Sequence, residues 1–331
     1  MTLHLKLSQK SLLAVLLGFC YALFVVLFPW DAISRGGFPD FHNYVYDYNY
    51  LIPQNKSAIE FYHLSSVKEY FTNEVLWVDL VRNLTGLTGE ASIALRIISF
   101  FILFVWGLFL FKRVSYGVAL LFLFNPFAID AAMSGIRNGL AYSLVMIGIS
   151  IQSKVLRGVL FLAGMFIHSS TLVLVVLYSF AVLAAQIIKA KKLLILSGVG
   201  AGVFVGLALT VGSELVLGAI GDRRRGENYV VGGGSLMQAS LWGILLYAQC
   251  MSGRAYIKKN IFVIAVLAWY LTMNPFIPWS YRILGAFLPV IGASAMYLPH
   301  RKRKIFIYLF SGYLVLQYLY WTKLFNYWYW A

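Results

Sequence analysis

Three cations stand where hydrocarbon makes them expensive. Arg137 opens an apolar helical run, His168 lies between two such runs, and Arg282 begins another. A charge in that setting costs several kcal/mol unless it snorkels, pairs or lines a wet cavity, so each is a functional candidate by position alone. A further cationic group, Arg223, Arg224 and Arg225, stands in the loop 221–235, GDRRRGENYVVGGGS, with Tyr229 close behind. Guanidinium groups hold phosphate through bidentate, charge-assisted hydrogen bonds. Gly226 and Gly232 to Gly234 would let that loop close over a ligand. The plainer alternative is a solvated turn whose arginines touch lipid phosphates.

The chain's twelve carboxylates are scattered, and Asp40 and Asp47 are the two that fall close together in a promising segment. That segment, SRGGFPDFHNYVYDYNYL, is rich in Tyr and Asn, and its tyrosines read either as an interfacial aromatic belt or as a wall for stacking sugars. His168 has three readings open: a helix-packing residue, a general base, or a ligand to a phosphate oxygen. A cavity lined by several arginines, one histidine and few carboxylates suits a substrate that carries phosphate or pyrophosphate within the membrane. The chain has no HExxH or CxxC motif and no paired-carboxylate signature, so neither a tight metal site nor a cofactor is expected. The glycine run from Gly198 to Gly206 looks nucleotide-like, yet it lies inside an apolar span, where small residues every fourth position make packing surfaces. Cys20 and Cys250 read as buried, inert thiols.

The elements that must position these groups are helices in a bilayer. Of 331 residues, 61% are hydrophobic and 12% charged, against roughly 25% charged in soluble domains. The expected fold is an all-α polytopic membrane protein of one domain, residues 1–331. A net charge of +15 then belongs to cytoplasmic turns and anionic lipid headgroups, and nucleic acid is not a partner. Apolar segments fall near 12–28, 93–111, 114–129, 136–151, 155–167, 171–188, 193–211, 236–251, 261–273, 283–298 and 305–321. That is about eleven spans, each to be set against the ~20 residues that cross ~30 Å of hydrocarbon. Several are short, and those meeting at His168 are expected to be half-helices around a cavity. The first run is read as a retained helix in preference to a signal peptide, because no small-x-small cleavage site follows it.

Basic turns at Lys112-Arg113, Lys154 with Arg157, Lys189 to Lys192, Arg254 to Lys259 and His300 to Lys304 alternate along the chain. They define a cytoplasmic side, with the amino terminus inside and the carboxyl terminus outside. The long loop 29–90 and the arginine-rich loop 212–235 then lie outside, the latter against the positive-inside bias. Within the first of these, residues 74–87 carry apolar side chains at helical spacing and read as a helix on the interface. Two Asn-Pro-Phe triplets, at Asn125 and Asn274, are read as each marking where a helix reaches that outer face before an arginine.

Residues 134–176 carry an Arg opening a helix in a small-polar setting, a basic turn at Lys154 to Arg157, and an apolar segment closing on Ile167-His168-Ser169. This pattern resembles the EpsG/Wzy-like family of bacterial polysaccharide polymerases. Arg35-Gly36-Gly37-Phe38-Pro39-Asp40 followed by Tyr44 looks like that family's glycine–x–Asp and tyrosine signature. Glu74 with the helix after it, the Asn-Pro-Phe before Arg137, and Tyr281-Arg282 also have counterparts there.

The resemblance implies a GT-C-like glycosyltransferase at the periplasmic or outer face of the bacterial inner membrane. It would join undecaprenyl-pyrophosphate-linked oligosaccharide repeat units into an O-antigen or exopolysaccharide, and a chain-length regulator protein would be a partner. An acceptor hydroxyl attacks the donor's anomeric carbon and polyprenyl pyrophosphate leaves. Arg137, Arg282 and one or more of Arg223, Arg224 and Arg225 would stabilise the departing charge in place of a metal. Asp40 or His168 would be the general base, with Tyr44, Tyr229 and Tyr281 on the substrate. The competing class is a flippase or transporter of an anionic lipid-linked saccharide, for which two related halves would be expected. An acyltransferase using His168 as base lacks the usual paired motifs.

Overall fold

The computed structural model describes residues 9–34, 37–52, 56–63, 66–210, 234–277 and 280–322. Among them the chain is almost wholly helical, and the extended pairing is one isolated bridge between Ser34 and Thr322. A first apolar helix, α1 (Gln9–Leu27), is followed by short elements: α2 (Trp30–Ile33), α3 (Pro39–Tyr46), α4 (Ala58–Tyr62) and α5 (Val67–Thr72). Serines start the last two. Ser57 and Ser66 each cap the backbone three residues on while Glu60 and Glu69 reach back, which satisfies otherwise orphaned N–H groups. The amphipathic stretch forms α6 (Val75–Thr88), ended by Gly89 at a left-handed φ of 78°. Its apolar face buries Trp77, Val78 and Val81.

The apolar runs become α7 (Ala91–Arg113), α8 (Tyr116–Leu123), α9 (Pro126–Met133), α10 (Ile136–Ser150), α11 (Lys154–Ile167), α12 (Thr171–Ile187) and α13 (Lys191–Thr210). After residues 211–233, which lie outside the described ones, come α14 (Leu236–Cys250), α15 (Arg254–Met273), α16 (Tyr281–Met296) and α17 (His300–Trp321). Of these, α1, α7, α13 and α15 are long and apolar enough to cross a membrane. The pair α8 and α9, bent by 60° at Asn125, gives a fifth candidate span, and α12 and α16 are shorter apolar helices. The other runs among the expected eleven fall on helices that are shorter or more polar. At 1.5 Å per residue α10 and α11 reach only about 22 Å, less than a full hydrocarbon thickness. A sharp bend of 60° falls at Asn125, where Pro126 cannot continue the preceding helix, and a second break at His168 separates α11 from α12.

Helix α16 is the hub. It is apolar all round, buries all but its first two residues and its last, and touches α7, α8, α9, α10 and α15. Elsewhere α1 lies along α7, and α13 lies along α15 through the glycine run. A methyl group at Gly202 would meet the Ala265 carbonyl oxygen at 2.1 Å, so the run is a packing surface.

The Asn-Pro-Phe triplets are not equivalent. Asn125 is extended and caps α9 with its side chain on Phe127 N–H at 2.9 Å, whereas Asn274 is helical and closes α15. A whole helix, α9, therefore separates the first triplet from Arg137. This corrects the reading of the triplet as a helix end that leads directly to the arginine.

Candidate functional site

The site begins on α3. Pro39 fixes the first helical turn. Asp40, Tyr44 and Tyr48 then recur every four residues and so share one face, with Asp47 beside them. The helix widens into a π-helical turn at Asp47–Leu51, which keeps Asp47 and Tyr48 directed to the same wall. Burial pushes the Tyr44 phenol above its ordinary range against the opposing pull of Arg137, and burial does the same more strongly at Tyr48.

Opposite this face stands a residue that sequence reasoning did not place in the site. Glu74 is 4% exposed and sits at φ 53°, ψ 47°, a left-handed conformation that costs a side-chain-bearing residue about 1–2 kcal/mol. The strain accompanies an unusual set of partners. Arg137 Nη1 donates to one carboxylate oxygen. The other takes His168 Nδ1 at 2.6 Å and the Ser169 N–H at 3.3 Å. A carboxylate only accepts, so His168 presents Nδ1–H to it and carries its second nitrogen, Nε2, on the opposite edge of the ring. Among the signals available beforehand, a lone Glu just ahead of an amphipathic helix marked the position. Its partners 63 and 94 residues away carry no local trace.

Arg137 and Arg282 are each the second residue of a helix, α10 and α16. That is the wrong end for a cation, because helix N-termini carry partial positive charge worth about 0.3–1 kcal/mol against it. Both arginines therefore need a counter-charge, and each has one. Arg137 spreads over Glu74 and, through Nε, the Tyr44 hydroxyl at 2.7 Å, with its guanidinium 5.3 Å from the centre of the Tyr44 ring. Arg282 Nη1 pairs with Asp40 at 2.7 Å. Its Nε is buried without a hydrogen-bond partner among the described residues. The position of Arg282 depends on Gly285 one turn later, where an added methyl would sit 2.4 Å from the Phe127 carbonyl oxygen of α9.

These groups enclose a polar cavity of about 330 Å³, lined by Asp40, Asn43, Tyr44, Asp47, Tyr48, Asn73, Trp77, Arg137 and Arg282 among others. Of the sequence candidates, Asp40, Tyr44, Arg137 and Arg282 meet on its walls, and His168 stands behind Glu74, which reaches the wall through Arg137. Tyr281 is not on the wall, and its ring tilts over Phe127 at 5.3 Å. Arg223, Arg224, Arg225 and Tyr229 lie outside the described residues. The next described residue after them, Gly234, donates its N–H to the Asn274 carbonyl at 2.7 Å. Among the described residues the wall carries two carboxylates, Asp40 and Asp47, beside its two arginines, and Glu74 pairs with Arg137 from behind the wall. Cations at helix N-termini in an apolar bundle hold their place only with anions beside them. Among the described residues no three His, Cys, Asp or Glu side chains group to hold a metal ion.

The cavity lies at one end of the bundle and the basic turns at the other. Helix α10 starts at the cavity with Arg137 and ends at Ser150, whose hydroxyl accepts from Arg113 Nη2 at 3.1 Å. Helix α16 starts there with Arg282 and ends at Met296, whose carbonyl accepts from Arg303 at 3.0 Å.

Compared with known proteins, the chain matches the model of the EpsG family over residues 15–330, nearly its whole length. No curated protein and no solved structure matches it.

Proposed function

The chain belongs to the EpsG family, and from that premise we propose that it is a membrane-embedded polysaccharide polymerase, a GT-C-like glycosyltransferase acting on polyprenyl-pyrophosphate-linked repeat units. The acceptor hydroxyl attacks the donor's anomeric carbon, and the bond from that carbon to the diphosphate oxygen breaks. The electron pair leaves on the diphosphate, and the acceptor proton passes to a base. Asp40, on the cavity wall, and His168, held at Nδ1 by Glu74, are the two candidates for that base. Arg137 and Arg282 offer preorganised guanidinium groups for the charge that builds on the departing oxygen. The positive ends of α10 and α16 add to the same field. In this reading the guanidinium groups make a divalent metal unnecessary, so activity of the purified protein should survive EDTA.

One observation carries the reading: two arginines, each opening a helix, face one polar cavity at the end of the bundle away from the basic turns. Basic turns favour the cytoplasm, so the cavity would open to the periplasm or exterior of the inner membrane. Loop 212–235, with Arg223, Arg224, Arg225 and Tyr229, would supply further anion contacts there. A lipid-linked oligosaccharide is then the substrate, and a chain-length regulator fits as a partner.

The test is the lipid-linked glycan profile of a deletion strain. A polymerase leaves single repeats exposed at the outer face and removes the long chains. Loss of every outward-facing repeat would identify a flippase and overturn the proposal.

A further inference from the structure

The two arginines carry the same charge in the same helical position, but their counter-ions are held very differently. Glu74 is buried, uses both oxygens and is fixed by a left-handed backbone. Asp40 stands in the first turn of α3 with its side chain 26% exposed, on an arginine that is 30% exposed. An anion with two or more charges meets a difficulty in this cavity, because its two arginines share the wall with Asp40 and Asp47, and Arg137 is already paired from behind with Glu74. Like charges at close quarters repel, so a diphosphate binds well only if one carboxylate gives way. Glu74 cannot move without stranding Arg137, His168 and the Ser169 N–H together. Asp47 is not within ion-pair distance of Arg282, so its removal would free no guanidinium. Asp40 can swing toward solvent at small cost, and the buried Nε of Arg282 already lacks an acceptor.

We propose that the Arg282–Asp40 pair is an exchangeable counter-ion pair: an incoming diphosphate ester takes Arg282, and Asp40 is released into the cavity beside it. The exchange rests on the proposed function for its ligand class, and it adds an order of events. Asp40 is occupied while the site is empty and becomes available as a proton acceptor only when diphosphate is present. Such a site guards its base until the leaving group is in place.

The experiment is a double-mutant cycle on the purified full chain in detergent, with geranyl pyrophosphate as the probe and calorimetry as the readout. Asp40→Asn removes the competitor and should tighten binding roughly fivefold, the worth of a partly exposed ion pair. Arg282→Ala should weaken binding by about tenfold or more, as expected for a lost charge-assisted contact. The decisive comparison is the pair: in an Arg282→Ala background the gain from Asp40→Asn should vanish. The smaller gain from Asp47→Asn, which only relieves repulsion, should persist there. Should Arg282→Ala not hold its fold, Arg282→Gln, closer in volume, serves as the same background.

Equal or weaker binding by Asp40→Asn overturns the exchange, as does a gain that survives without Arg282. The readout needs no polymerisation. A glycan profile that rejects the polymerase therefore leaves the exchange standing or falling on binding alone, and a failed cycle leaves the polymerase reading untouched.

Discussion

Arg137 and Arg282 are a natural controlled pair. Each is the second residue of a helix, each lines the same cavity, and each is held by a carboxylate from the segment between α1 and α7. They differ in depth. The anion on Arg137 is 5% exposed and shared with an imidazole and a backbone N–H, whereas the anion on Arg282 is 26% exposed. A buried pair is weak evidence for net stability but is costly to break from one side, because the survivor is left charged and dry. A half-exposed pair is worth little either way. The same chemistry thus makes one arginine part of the architecture and leaves the other free to trade partners.

The largest expected effect tests that contrast directly. Arg137→Ala should strand Glu74 and cost about 3–5 kcal/mol of stability, seen as a lowered melting temperature in detergent. It should also abolish polymer formation. Arg282→Ala should abolish polymer with a loss of at least ~100-fold, yet shift stability by no more than about 1 kcal/mol. Lysine at either position should recover little activity, since a point charge cannot reproduce the guanidinium fork. Equal destabilisation by the two Ala variants would erase the distinction, and full activity in either would remove that residue from the mechanism.

Next comes Glu74, where charge and backbone can be separated. Glu74→Gln keeps the shape and loses the ionic acceptor, so it should lower both polymer yield and stability. Glu74→Gly and Glu74→Ala both lose the carboxylate, but glycine accepts the φ of 53° without strain. The Gly variant should therefore melt higher than the Ala variant by an amount worth about 1 kcal/mol. Identical melting temperatures would mean that the left-handed conformation relaxes and that its strain is not stored in the folded protein.

Much of this arrangement was legible in the chain, and the limits have a physical cause. Apolar runs place helices because hydrophobic side chains must be contiguous to be buried, and the runs at 93–111, 136–151 and 171–188 reappear within two residues as α7, α10 and α12. Arg137 and Arg282 announced themselves as cations in apolar company. Glu74 did not, because its meaning lies in contacts 63 and 94 residues away that no periodicity encodes. Crossing count was equally elusive: a run of apolar residues reports burial, and α16 is buried by protein on every side as readily as by lipid. The twin Asn-Pro-Phe triplets failed as a guide for a related reason, since one Asn side chain caps a helix start and the other closes a helix end.

A smaller effect is expected where the hub meets the bent pair. Gly285→Ala would press a methyl onto the Phe127 carbonyl, and overpacking of that kind costs about 1–3 kcal/mol. The strain lies one turn from Arg282, so activity should fall more than stability. Gly200→Ala, in open space on α13, should leave both within about 0.5 kcal/mol of the parent. If the two variants behave alike, α16 is not held against α9 as tightly as the geometry requires.

The smallest effect belongs to Tyr44, the hydroxyl that shares Arg137 with Glu74. Tyr44→Phe leaves the Arg137 Nε without its acceptor and should cost about 1 kcal/mol, or roughly fivefold in turnover. Its pH dependence has a definite sign. Burial raises the folded phenol above its ordinary value of 10.0, so the folded state holds the proton where the unfolded state has lost it. The stabilisation is complete below the unfolded value and drains away as pH rises from there through the raised folded value. Melting temperature should therefore fall with alkaline pH in the parent and fall less steeply in Tyr44→Phe. Tyr48, raised by the same burial, will keep part of the slope in both. A slope unchanged by the substitution would mean that Arg137 holds Tyr44 ionised as readily as burial keeps it neutral. Tyr44 would then belong with the exchangeable side of the site rather than the fixed one.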